Sequence, residues 1–172
     1  MVKINKKTQG KKNRAAGARF ELKVRHDLES KGWIVDKWSN NVEFRAPNAK
    51  EVGEALQLTG SGFSAQKVGK LIPAKRKYNP FKKVMAIGTG FPDFVAFKRS
   101  FQYDKIVNPH YPKCPDAEVM GVEAKSNGYL DPKERAKCKW LLDNNVFSKV
   151  LVVRKGKKRG EIIYKEFDSK NQ

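Results

Sequence analysis

One run constrains this chain more than any other: Val119-Met120-Gly121-Val122-Glu123-Ala124-Lys125, an apolar strand-like stretch that ends on a carboxylate and an ammonium two residues apart. Side chains alternate along a strand, so Glu123 and Lys125 share one face while Ala124 points into the opposite layer. A second apolar run, Phe94-Val95-Ala96-Phe97, is preceded by Phe91-Pro92-Asp93, which places another carboxylate where it can meet Glu123 across a paired strand. Two carboxylates would hold a hard cation through oxygen atoms and leave the Lys125 ammonium beside a bound water. That is the equipment of metal-dependent hydrolysis. The competing reading is a pair of surface carboxylates neutralised by some of the many lysines, and the neighbouring elements decide between the two.

Upstream, the pattern over 15–31 is helical, with Phe20, Val24 and Leu28 four apart on one stripe and Gly32 as a stop. Glu21 falls at the edge of that stripe, where a carboxylate is costly unless paired, with Arg25 for instance, or bound to a metal. Trp33 to Trp38 reads as a strand with aromatics of opposite parity, one for the core and one near the surface, where it could stack on an unpaired base. Residues 39–86 carry little periodicity. Asn48 can cap a short helix over 49–58, and beyond it Lys75, Arg76, Lys77, Lys82 and Lys83 are interleaved with Tyr78 and Phe81, a mixture suited to tracking a phosphate backbone.

Gly88-Thr89-Gly90 is a bend before Asp93, and the prolines at 109, 112 and 115 mark a long loop over 100–117. Asp131-Pro132-Lys133-Glu134 has the N-cap, N1 proline and N3 glutamate of a helix start, and that helix runs to about Asn144. Strands over 149–154 and 161–167 are joined by the basic turn 155–160. A small mixed sheet flanked by helices, an α/β fold, accommodates this order.

Composition narrows the partners. With 37 Lys+Arg against 18 Asp+Glu, the net charge of +19 on 172 residues favours a polyanion, and its spread over several segments favours nucleic acid. Residues 1–14 read as a flexible basic arm in which Lys11, Lys12 and Arg14, with Arg19 beyond them, can lie along phosphates, and residues 15–172 read as one domain with an insertion at about 39–86. No apolar stretch reaches membrane-spanning length and the start lacks a signal peptide's apolar core, so the expected location is cytoplasmic, in association with DNA. Two cysteines are too few for a disulfide framework, and His110, Cys114 and Cys138 lack zinc-ligand spacing.

The helical Arg19-Phe20-Glu21, then Gly90-Phe91-Pro92-Asp93, then Glu123-Ala124-Lys125, in this order of elements, resembles the PD-(D/E)xK nuclease superfamily, most of all the archaeal-type Holliday junction resolvases. The resemblance covers about residues 17–38 and 84–154. It implies a restriction-endonuclease-like core and a homodimeric, magnesium-dependent DNA endonuclease, with manganese as a substitute, acting on branched DNA in recombination and repair. It further implies Asp93, Glu123 and the Ala124 carbonyl as metal ligands, Lys125 as the group that orients the attacking water, and Glu21 as an assisting acid. The chain departs from the resolvase pattern in its 39–86 insertion, in Glu134-Arg135 where a Glu-Gln pair is common, and in the proline-rich loop between Asp93 and Glu123. Restriction-like, nicking, repair or RNA-processing nucleases and a catalytically silent DNA-binding protein are the alternative readings.

Overall fold

The computed structural model describes residues 6–48, 50, 52, 67–74, 76–79, 83–87, 90–99 and 117–168. These form a mixed α/β structure in two compact units, Met1–Trp38 with Phe91–Gln172, and Ser39–Gly90.

In the first unit, helix α1 spans Lys6–Ser30. Its second half is held by Phe20, Val24 and Leu28, all buried. Gly32, at φ +81°, closes it: the N–H groups of Gly32 and Trp33 donate to the carbonyls of Glu29 and Leu28. The helix starts well before Ala15, so the basic segment assigned to a flexible arm is helical from Lys6. The face that would continue the apolar stripe carries Gln9, Gly10, Asn13, Ala16 and Gly17, which leaves no hydrophobic period to read. Helix-favouring Lys, Arg, Gln and Ala supply most of this half, and the Gln9 side chain donates to Asn13 one turn on, at 3.0 Å.

Strands β1 (Ile34–Lys37), β6 (Phe94–Arg99), β7 (Ala117–Ala124), β8 (Lys149–Lys155) and β9 (Ile162–Glu166) form a five-stranded sheet in the order β1-β6-β7-β8-β9. All neighbours are antiparallel except β7 and β8. That parallel pair needs a crossover, and helix α2 (Pro132–Asp143) lies in it. The apolar cluster joins Phe20, Val24 and Leu28 of α1 to Val35, Phe94, Ala96, Met120, Val122 and Val153, one face of the sheet. The opposite parity carries Gly121, Val150 and Val152. Gly121 is required there: a Cβ would stand 2.9 Å from Pro92 and 3.0 Å from Phe147, so only glycine lets both rings lie against β7.

Trp33 packs against the apolar cluster, and Trp38 lies edge-on to Phe147 with ring centroids 5.1 Å apart, so both tryptophans serve packing. The Trp38 indole N–H is buried without a partner among the described residues.

The Ser39–Gly90 unit contains two antiparallel pairs, β2 (Asn40–Arg45) with β3 (Val68–Pro73) and β4 (Arg76–Asn79) with β5 (Val84–Ile87). Val42 is its buried anchor. Of the short helix expected over 49–58, only Lys50 and Val52 are among the described residues, and the proline-rich loop with His110 and Cys114 lies outside them. Cys138 is buried on α2 as a free thiol, and burial pushes its pKa up to about 12. No helix among the described residues is long and apolar enough to cross a membrane.

Candidate active site

The register of β6 and β7 sets the centre of the site. Phe94 lies opposite Val122 on the core face, so Asp93, one residue before β6, comes up beside Glu123. The backbones then clamp each carboxylate reciprocally: the Asp93 N–H donates to Glu123 Oε2 at 3.0 Å, and the Ala124 N–H donates to Asp93 Oδ2 at 3.0 Å. Glu123 is 5% exposed and is the only charged residue fully buried among those described. Alternation along β7 sends Ala124 to the apolar cluster and returns Lys125 to the side of Glu123, its Nζ 3.1 Å from Glu123 Oε1.

Lys125 has a second partner in Glu134, whose Oε1 accepts from Nζ at 2.5 Å. The other oxygen of Glu134 accepts from the Asp131 N–H at 3.0 Å, while the Asp131 side chain accepts from the Glu134 N–H at 2.8 Å. This is a capping box, which satisfies orphan donors at the helix start. One carboxylate thus starts α2 and grips the lysine at the end of β7.

On the α1 side, Lys37 of β1 stands opposite Phe94 in the sheet. Its ammonium reaches Glu21 Oε2 at 2.7 Å, faces Asp93 Oδ1 at 4.0 Å and lies 4.7 Å from the centroid of the Phe94 ring. Arg25 is occupied by Glu29 at 2.8 Å, and Glu21 pairs with Lys37. The result is a chain of charges, Glu21, Lys37, Asp93, Glu123, Lys125 and Glu134, crossing the sheet from α1 to α2.

Electrostatics within this chain are unbalanced. Four carboxylates face two ammonium groups, leaving two negative charges uncompensated when all are ionised, inside a molecule of net charge +19. Burial and the neighbouring Asp93 raise the Glu123 pKa to about 7. Burial likewise raises that of Asp93, against the opposing pull of the Ala124 N–H. Burial acts to discharge Lys125, but the hydrogen bond to Glu134 and the charge and hydrogen bond of Glu123 outweigh it, so its ammonium is held more firmly than an ordinary lysine's.

This donor set suits a small divalent cation. Magnesium sites on phosphate-handling proteins use one or two carboxylates and leave the rest of the shell to water and substrate. Asp93 and Glu123 supply that number, and the Lys37 ammonium against Glu21 and Asp93 indicates that positive charge is stabilised at this position. Among the described residues, no three His, Cys, Asp or Glu side chains cluster closely enough to hold a metal by themselves.

Of the site residues read from the sequence, Asp93, Glu123, Ala124 and Lys125 come together directly, and Glu21 joins them through Lys37. Lys11, Lys12, Arg14 and Arg19 are exposed on α1. Lys83 is exposed in the Ser39–Gly90 unit, with Arg76 and Lys77 on β4, whereas Lys75 and Lys82 lie outside the described residues. Sequence reasoning missed Lys37, whose role depends on strand pairing, and missed the grip of Glu134 on Lys125. No family model matches the chain, and no curated protein or solved structure does so either.

Proposed function

We propose that this protein is a metal-dependent endodeoxyribonuclease with a restriction-endonuclease-like core. Its proposed form is a homodimer that hydrolyses phosphodiester bonds in branched DNA such as four-way junctions. The observation that carries this reading is the reciprocal clamp of Asp93 and Glu123 with Lys125 3.1 Å from the latter. A buried Glu123 and a partly buried Asp93, fixed by the N–H groups of Asp93 and Ala124 with an ammonium alongside, cost the fold energy that ordinary surface ion pairing would not require. A net charge of +19 supports a polyanionic partner.

Asp93 and Glu123, with the Ala124 carbonyl, are the residues that would hold the ion. When bound, magnesium supplies Lewis-acid charge to the phosphate and acidifies a water. Lys125, kept protonated by Glu123 and Glu134, acts as a fixed positive charge toward the attacking water or a phosphate oxygen and not as a general base. Glu134 keeps the ammonium in place. Glu21 restrains Lys37 at the other end, where the ammonium offers a second positive charge to the DNA backbone.

A second reading has its own support. The ammonium of Lys37 beside Glu21 and Asp93 neutralises part of the site internally, as a catalytically silent DNA-binding protein would. Cleavage of labelled four-way junction, flap, duplex and single-stranded DNA, with magnesium or EDTA and with Glu123→Ala alongside, separates the two. The nuclease reading expects magnesium-dependent cutting that Glu123→Ala abolishes, with the junction cut fastest. Tight, salt-sensitive binding without cutting of any substrate, in magnesium or manganese, overturns it in favour of the silent protein.

A further inference from the structure

The loop that follows Lys125 presents an aromatic ring that packing does not explain. Tyr129 is 58% exposed, yet the backbone on both sides of it is fixed. The Gly128 N–H donates to the Lys125 carbonyl at 2.8 Å, closing a turn in which Gly128 takes φ +73°. The Tyr129 N–H donates to the Asn127 side chain at 3.1 Å. The next residue, Leu130, is buried, and Asp131 is the N-cap of α2. Arg135 then donates from Nε to the Leu130 carbonyl at 3.1 Å, which holds its guanidinium 5.6 Å from the centroid of the Tyr129 ring.

The first turn of α2 therefore serves two neighbours at once. Glu134 grips the Lys125 ammonium, and Arg135 backs the Tyr129 ring. An exposed aromatic on a braced loop, with a guanidinium behind it, is what stacks a nucleobase, because each base offers a π face and the cation strengthens the contact. It lies in the short segment that joins Lys125 of the candidate active site to the N-cap of α2. Within continuous duplex each base is already stacked and paired, and none is free to meet the ring.

Building on the nuclease reading, we infer that Tyr129 and Arg135 form a stacking platform for an unpaired DNA base beside the scissile phosphate. The platform selects substrates that are single-stranded or splayed at the cut, such as the arms of a flap or the exchange point of a junction, over continuous duplex. Arg135 positions the ring, and Tyr129 makes the contact.

The test uses the full chain without divalent metal and two DNA probes of equal length, each with 2-aminopurine at one position. One is a continuous duplex, and the other has that base unpaired. The expected result is quenching of the unpaired probe on binding and about 10-fold weaker binding of it by Tyr129→Ala, in line with the loss of one base–aromatic stack. Duplex affinity should be unchanged in that variant, and Tyr129→Trp should retain both quenching and affinity. Equal weakening of both probes by Tyr129→Ala, no weakening of either, or absence of quenching overturns the platform. If DNA binds and is cut with magnesium while the Tyr129 variants behave like the parent, only the platform falls. If no DNA of any form binds, the nuclease reading falls with it.

Discussion

The two lysines of the site differ in how they are held. Lys125 leaves the end of a central strand, is 29% exposed at its side chain and contacts carboxylates at 2.5 and 3.1 Å. Lys37 leaves the edge strand β1, is 48% exposed at its side chain and has one close carboxylate at 2.7 Å and a second at 4.0 Å. The first cannot move without stranding Glu123, which is buried. The second can swing to solvent at little cost, since exposed ion pairs contribute about 0–1 kcal/mol. A closed end that fixes charge thus adjoins an open end that can yield it to a ligand.

The largest expected effect tests the closed end. Lys125→Met should lower magnesium-dependent cleavage by about 10²–10³-fold, the range for removing one preorganised electrostatic donor, with DNA binding largely retained. Single-turnover rates at saturating enzyme measure it. An equal loss in Lys37→Met would erase the distinction between the two ends.

Next comes pH. The folded-state pKa of Glu123 is raised to about 7, so the folded protein holds this proton more tightly than the unfolded chain does. Its contribution to stability is therefore full below the ordinary carboxylate range and is lost as pH rises toward about 7, a decline of up to about 3 kcal/mol for the metal-free protein. Asp93, shifted the same way, adds to it. Urea unfolding between pH 5 and 7.5 should show the decline, and Glu123→Gln should flatten it. A parent protein whose stability rises over this interval would contradict a buried, charge-starved Glu123.

Glu134→Gln is subtler. Glutamine can still accept from the Asp131 N–H and complete the capping box, but it no longer opposes the Lys125 charge. Cleavage should fall about 10-fold, by loosening of the ammonium, while thermal unfolding changes by less than about 1 kcal/mol. A large loss of stability would assign Glu134 to the helix alone. The smallest effect belongs to the open end: Lys37→Gln should tighten magnesium binding by about 2- to 10-fold, as removal of a nearby exposed cation would. Isothermal titration calorimetry on metal-free protein would register weaker binding if Lys37 instead supports the site.

These differences explain what could be read in advance. The β7 run, the Asp131 cap and the Phe20–Val24–Leu28 stripe are local patterns, and the strand or helix period announces each one. Lys37 was invisible because its meaning comes from standing opposite Phe94, a pairing set by the register of strands far apart in sequence. The capping role of Glu134 is legible because it is local, whereas its grip on Lys125 depends on the β7–α2 turn. The N-terminal half of α1 gave no period because it has no apolar face. The strands of the Ser39–Gly90 unit are short, β2, β3 and β4 carry charged residues, and in β3 side chains of intermediate exposure run together where alternation would mark a strand.

Glu134 also bears on how divergent relatives of this chain should be interpreted. An acid at this position is favoured by the helix start whether or not chemistry follows, so a relative without catalysis would still be selected to keep it. The Lys125 side chain takes no part in that cap; its ionic partners among the described residues are Glu123 and Glu134. In a set of distant sequences, the glutamate would therefore mark inheritance of the helix start, and the lysine would mark inheritance of the buried Glu123 beside it.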